Sequence, residues 1–240
     1  RVDVSNPAAA TWYIMLKGYH AYSGVSLKAT YGTSTPPPAA GNNFASDPNC
    51  VALWRFESSA LTADSVGSNT LENHGVVAST AQKKEGASSA AISSRELDYF
   101  SITDASLSNK FPLKTGDANK NISVCTWFRM DSLPAAYQYV GLFGKFDQPG
   151  RKRSFAIGVA RDAQGSVNLW LVLGHDNGTT ATWIALTSVT LKANAWYHVG
   201  CTYRESDRSF RVRLYDGTTA VEETGTAPKG ISVTNAPVYL

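Results

Sequence analysis

Oxygen-bearing side chains gather in one stretch of the sequence, Asp64-Ser65-Val66-Gly67-Ser68-Asn69, which follows Glu57. A hard cation such as calcium takes roughly six to eight oxygens, and a glycine-containing loop with a carboxylate, an amide oxygen and backbone carbonyls can supply them. Asp64, Asn69 and Glu57 are therefore candidate metal ligands, with Glu72 and Asn73 as supplementary ones. The competing reading is an Asx turn, in which Asp64 hydrogen-bonds its own backbone two residues on. Nucleophilic hydrolysis has no comparable support. His74, His175 and His198 lie apart, no serine stands in a GxSxG elbow and no HExxH occurs. His198 falls in a strand pattern as a hydrogen-bonded structural histidine, and His175-Asp176-Asn177-Gly178 has the composition of a hairpin turn. Among the aromatics, Trp183 and Tyr137 are the candidate ligand contacts, because a sugar ring stacks on an exposed aromatic while neighbouring polar groups meet its hydroxyls. Trp54, Trp127, Trp170 and Trp196 sit within strand patterns and are assigned to the core, where large aromatics dominate.

The elements that must position these residues are strands. Trp196 to Arg204, WYHVGCTYR, alternates Val199, Cys201 and Tyr203 on one face with His198, Gly200 and Thr202 on the other. A period of two marks a half-buried strand. Residues 122–130, ISVCTWFRM, follow the same pattern, and the two runs are placed at the centre of a sandwich. Shorter runs at residues 50–57, 97–102, 139–146, 154–160, 167–173, 182–186 and 210–215 are separated by Gly, Asp and Asn turns. Such spacing predicts an all-β antiparallel sandwich and no βαβ units.

These residues also carry a resemblance. WYHVGCTY, the preceding ISVCTWF and the opening CVALWRFESSALTADSVGSNTLENHG, in this order, resemble the laminin-G-like, concanavalin A-like jelly roll of secreted bacterial proteins. The likeness runs from about residue 50 to residue 240. It implies a structural calcium in many members, at a DxxGxN loop matched here by Asp64 and Asn69. It also implies a last strand lying beside the first. Residues 231–240 match the penultimate strand of that pattern, so the final strand is missing and residues 52–56 would carry an open edge: either the chain is a fragment, or the edge is filled by residues 12–17 or by another molecule. Jelly-roll glucanases place paired carboxylates in an ExDxxE pattern. Glu96 and Asp98 match its first half, but Ser101 stands at the acid/base position, which argues against hydrolysis. Cys125 sits where the related pentraxins place half of a disulfide. A Cys125 to Cys201 bridge is one expectation and two inert buried thiols the other, because Cys201 is displaced by one residue, which turns a strand side chain to the opposite face.

Ahead of the sandwich, residues 11–19 and 24–31 form a hairpin candidate around a Ser/Gly turn that contains His20. They resemble the last strands of the bacterial pre-peptidase C-terminal domain. Pro36, Pro37 and Pro38 mark residues 32–49 as a semi-rigid linker, and residues 50–240 as the jelly roll, expected to lack its final strand. Composition bounds the function classes. Apolar residues at 43% with six Trp exclude a disordered chain, and 22 basic against 19 acidic residues give no basic stripe for nucleic acid. No run reaches the ~18 apolar residues of a membrane helix. The largest basic cluster, Lys145 with Arg151, Lys152 and Arg153, is either a solvated loop or an anion contact. Together these observations predict a non-catalytic extracellular module, secreted or at the cell surface, that binds carbohydrate or an extracellular protein with calcium as a structural aid. The alternatives are a spacer in a surface adhesin or fibre that assembles through strand edges with other copies, and an accessory domain of an exoenzyme.

Overall fold

The computed structural model describes residues 44–93 and 97–240; the hairpin candidate and most of the linker lie outside the described residues. Strands form where the sequence alternates, and in chain order they are β1 (Glu72–His74), β2 (Val77–Ser79), β3 (Ser89–Ala91), β4 (Tyr99–Ile102), β5 (Ile122–Arg129), β6 (Tyr139–Asp147) and β7 (Lys152–Arg161). β8 (Val167–His175), β9 (Thr180–Leu186), β10 (Trp196–Arg204), β11 (Ser209–Tyr215), β12 (Ala220–Thr226) and β13 (Val238–Tyr239) follow. The long strands fall within a few residues of their expected bounds. Helix is limited to single 3-10 turns.

A seven-stranded sheet runs β1-β4-β13-β6-β7-β8-β9, and a four-stranded sheet runs β12-β11-β10-β5. Among the described residues every strand-to-strand pairing in these two sheets is antiparallel, in keeping with a β-sandwich. Core side chains come from alternate positions of both sheets: Phe155, Ile157, Leu169 and Leu171 from one, Val199, Tyr203, Val212 and Leu214 from the other. β5 and β10 are neighbours, as their matching patterns predicted.

Both ends of the sandwich differ from expectation. Residues 50–57 form no strand, only single bridges at Trp54 and Glu57, because the backbone turns to a side-chain and loop partner instead. Leu53 N donates to Asp64 Oδ1 at 2.9 Å, and Ser65 N donates to Leu53 O at 2.8 Å. Within residues 231–240 only Val238–Tyr239 is strand, inserted between β4 and β6. Upstream of it the carbonyls of Thr234 and Ala236 are diverted to Lys145 Nζ, at 2.7 and 2.6 Å, and Pro237 has no N–H to give.

Lys145 is completely buried and also donates to Asp104 Oδ1 at 2.6 Å. It therefore leaves the expected basic cluster: its position opposite Phe155 puts it on the core side of β6, while Arg151 and Lys152 are exposed in the turn and at the start of β7. Burial pushes the Asp104 carboxyl up, but the hydrogen bond and charge of Lys145, with the bonds from Thr115, outweigh it and hold the group below its usual range.

Candidate functional site: an aromatic face on the seven-stranded sheet

Because Val167, Leu169, Leu171 and Leu173 of β8 point to the core, Trp170 between them points outward. The same parity on β9, where Leu186 is in the core, sends Trp183 to that outer face, opposite Val172. Tyr139 and Phe146 of β6 join them. Trp183 has ring centroids 5.7 Å from Tyr139, 6.3 Å from Phe146 and 6.3 Å from Trp170, all in edge-on contact, an arrangement that aromatic quadrupoles favour. Three rings thus prop a fourth, and Trp183 remains 46% exposed.

The floor beneath these rings is made of small residues. Gly158 lies across from Trp170 on one side and Gly141 on the other. A Cβ at Gly158 would stand 2.5 Å from the Tyr139 ring and 2.5 Å from the Val140 carbonyl, so glycine is what lets Tyr139 lie flat on the sheet. At the far end a register shift between Lys145 and Phe146 sets Arg153 opposite Phe146, and the guanidinium lies 5.9 Å from that ring centroid. Arg153 is held there by Gln148 and the Thr179 carbonyl. Two polar atoms under the aromatic layer, Tyr139 Oη and Asn168 Oδ1, find no hydrogen-bond partner among the described residues. Both belong to the β6-β7-β8 strip that meets at Ala160. Burial, with a smaller contribution from Cys201, pushes the Tyr139 hydroxyl well above its usual pKa, so it stays a neutral donor.

Tyr137 is 80% exposed, two residues before β6, and its N–H donates to the Arg161 carbonyl. Its ring makes no contact with Trp183 in the structure, so the two candidates named from sequence are not brought into one cluster. The residues that do join Trp183 are Tyr139, Phe146 and Trp170. Trp170 was assigned to the core, as were Trp127 and Trp196, yet all three stand on outward positions of their strands. The signal that places Trp170 was already in the sequence: Leu169 and Leu171, with Val167 and Leu173, claim the inward face at even spacing. Trp54 alone packs partly on the core, with Nε1 donating to the Asn69 carbonyl.

The Asp64 loop is closed upon itself. Asp64 Oδ1 accepts from Leu53 N and Val66 N, and Oδ2 accepts from Asn69 N and Asn69 Nδ2, at 2.9 to 3.0 Å. Asn69 is fully buried and its Oδ1 accepts from Ser108 N. Glu57 is turned away to the Ala87 N–H. The oxygens a cation would need therefore already face N–H donors, and this donor set does not fit calcium. Burial pushes the Asp64 carboxyl up, but these hydrogen bonds prevail and hold it below its usual range. Among the described residues no group of three or more His, Cys, Asp or Glu side chains is placed to hold a metal.

The remaining candidates have structural surroundings. His175 is buried at the end of β8, bonded to the Gly230 carbonyl and Thr182 hydroxyl, and the turn after it holds Asp176 and Asn177 at positive φ. His74 stacks on Tyr99 and meets the Ser101 hydroxyl. His198 makes an edge contact with Trp127 where a hydrogen bond was expected. Glu96 lies outside the described residues, and Asp98 accepts from Ser93 N. The three cysteines are free. Cys125 pairs across from Gly200 and Cys201 from Val124, so the two thiols lie on opposite faces and no bridge can join them. Only Cys201 is buried; Cys125 is exposed.

Residues 98–240, which carry this aromatic face and the whole four-stranded sheet, match the family Laminin_G_3, described as the concanavalin A-like lectin/glucanases superfamily. The chain belongs to that superfamily. Solved structures similar to it include the heptameric SAP-like pentraxin from Limulus polyphemus, at 17% identity and a TM-score of 0.34, with 50% of this chain and 51% of that chain covered. The enzymatically active domain of bacteriophage CBA120 tailspike protein 2 is similar at 11% identity and a TM-score of 0.47, over 70% of this chain and 25% of that one. The chain thus spans about half the length of the pentraxin and a quarter of the tailspike domain. No curated protein matches it.

Proposed function

We propose that this superfamily member is a non-catalytic binding module, secreted or at the cell surface, that takes a carbohydrate on the outer face of the seven-stranded sheet. The observation that carries this reading is the half-exposed Trp183, propped by Tyr139, Phe146 and Trp170 over a floor of small residues. A sugar ring presents an apolar C–H face to such an indole, and the burial of that face supplies the hydrophobic term. Arg153 at the rim supplies the polar side of recognition. The closed Asp64 loop supports binding that is independent of calcium. No helix among the described residues is long and apolar enough to cross a membrane.

A glycan array probed with the chain, with calcium and again with a chelator, tests the proposal. Selective binding that survives chelation is expected. Absence of binding in both conditions rejects the carbohydrate assignment, and binding lost on chelation rejects the calcium-independent mode.

A further inference from the structure

β9 is the outermost strand of the seven-stranded sheet: β8 lies on one side, and no strand among the described residues lies on the other. Among the described residues, none of its outward N–H and C=O groups takes part in a backbone hydrogen bond. Such an edge is a template for a further strand, and proteins guard theirs with charge, proline, a bulge or a short strand. β9 has no such guard. It runs for seven residues, its register with β8 is unbroken, and the sequence holds neither a charged residue nor a proline between Asp176 and Lys192. The outer strands β1 and β12 differ: β1 has three residues, one of them Glu72, and β12 carries Glu222 and Glu223 in its middle.

We infer that β9 pairs antiparallel with β9 of a second copy of this chain, about a twofold axis at Trp183, so that two seven-stranded sheets join edge to edge. A twofold contact must be self-complementary, and this strand meets that condition. Trp183 is its middle residue, so on the outer face Ala181 of one copy stands opposite Ala185 of the other, small against small. On the core side Thr182 stands opposite Ile184, and Thr180 opposite Leu186. No like charges meet, whereas β12 paired with itself in the same way would set Glu223 against Glu223, which is destabilising. The indole leaves room for the approach. Tyr139 and Phe146 stand on β6, three strands and roughly 14 Å from β9, yet their ring centroids lie 5.7 and 6.3 Å from that of Trp183, so the indole points back over its own sheet and away from the edge. Ile184 packs against the core but is only half-buried, and an added strand covers what remains. The pairing rests on the strand edge and not on the carbohydrate assignment. Its consequence for that assignment is one continuous outer face with a Trp183 from each copy at its centre, on which a glycan long enough to engage both gains by multivalency.

Sedimentation equilibrium of the full chain across a dilution series, paired with hydrogen exchange of the β9 amides, is the test. One strand pair makes a small interface, so a reversible dimer in the micromolar range is expected, with the outward β9 amides exchanging at least tenfold more slowly in the dimer. Two double variants read the register. Ala181→Lys with Ala185→Lys sets lysine against lysine across the axis and should weaken dimerisation at least tenfold, whereas Ala181→Lys with Ala185→Glu sets lysine against glutamate and should restore most of it. Both variants share the first substitution, and their melting temperatures report on folding. A chain that stays monomeric up to ~0.5 mM overturns the inference, as does a dimer that the two variants affect alike. So do outward β9 amides that exchange slowly at every dilution, which would mean that another segment of the same chain covers the edge.

Discussion

Replacing Lys145 by methionine keeps the length of the side chain and removes only its charge and three donated hydrogen bonds, to Asp104 Oδ1, Thr234 O and Ala236 O. Lys145 is completely buried and the Asp104 side chain is 9% exposed, so the substitution strands a carboxylate away from water. Removing one partner of a buried ion pair costs about 3 to 5 kcal/mol, and two carbonyls that lose a donor keep the figure from falling below that range. In a unit of about 200 residues, Gly41–Leu240, each kcal/mol moves Tm by ~2 to 4 °C, so a fall of roughly 6 to 20 °C is expected. The pH dependence gives the argument a second handle. The Asp104 carboxyl is depressed in the native protein, so its contribution is present above the ordinary carboxylate value near pH 4 and is lost as pH falls through the native value. In the Lys145→Met variant, protonation of Asp104 removes the stranded charge. The stability gap between the two proteins should therefore narrow from pH 7 to pH 3, measured by urea unfolding at both. A gap below about 1 kcal/mol at pH 7, or one that stays constant with pH, refutes this account of how residues 234–236 are anchored to the sheet.

Gly158→Ala puts a Cβ into the Tyr139 ring and the Val140 carbonyl, so it should cost about 1 to 3 kcal/mol by thermal melting and weaken glycan binding by displacing Tyr139. Asp64→Asn turns two N–H groups of Asn69 against an amide N–H₂ or forfeits the bonds on the other oxygen; a loss of about 1 to 3 kcal/mol is expected, while a chelator should leave the Tm of the unsubstituted chain within a degree. A drop of several degrees on chelation would mean that calcium holds the loop after all. With a thiol reagent, Cys125 should react in the native state because it is exposed, though slowly, since partial burial and then Cys50 and Glu85 push its thiol pKa up. Cys201, whose pKa is pushed far up by burial and by Cys125, should react only on unfolding.

Much of the sandwich is legible in the sequence because its long strands alternate cleanly. Trp196–Arg204 was bounded to the residue, and its two faces carry the side chains that the pattern assigned to them. The elements that escaped are those with too few residues or too little burial for a period to show. β1, β2 and β3 have three residues each, and β12 is an edge strand in which only Val221 and Gly225 are partly covered. Residues 50–57 have a strand composition, but a carboxylate eleven residues on captures the Leu53 N–H, a long-range event that no local pattern encodes. Lys145 misled for the reverse reason: its charge suggested solvent, whereas its parity with Phe143 placed it inward. At the candidate site, Trp183 was recognisable from its type, and Trp170 was recoverable from the leucines around it. The contributions of Tyr139 and Phe146 depend on β6 lying beside β7, which is set by the fold and not by any motif.

The most direct test of the central claim compares the chain and its Trp183→Ala variant on the same glycan array, each with a chelator present and with their melting temperatures recorded. Trp183 is half exposed and props no buried core residue, so the variant should keep its Tm within about 3 °C. The account predicts selective binding by the chain that falls about 30-fold in the variant, as loss of a stacking aromatic worth about 2 kcal/mol requires. Equal glycan binding by both proteins would contradict it and move recognition away from the seven-stranded sheet.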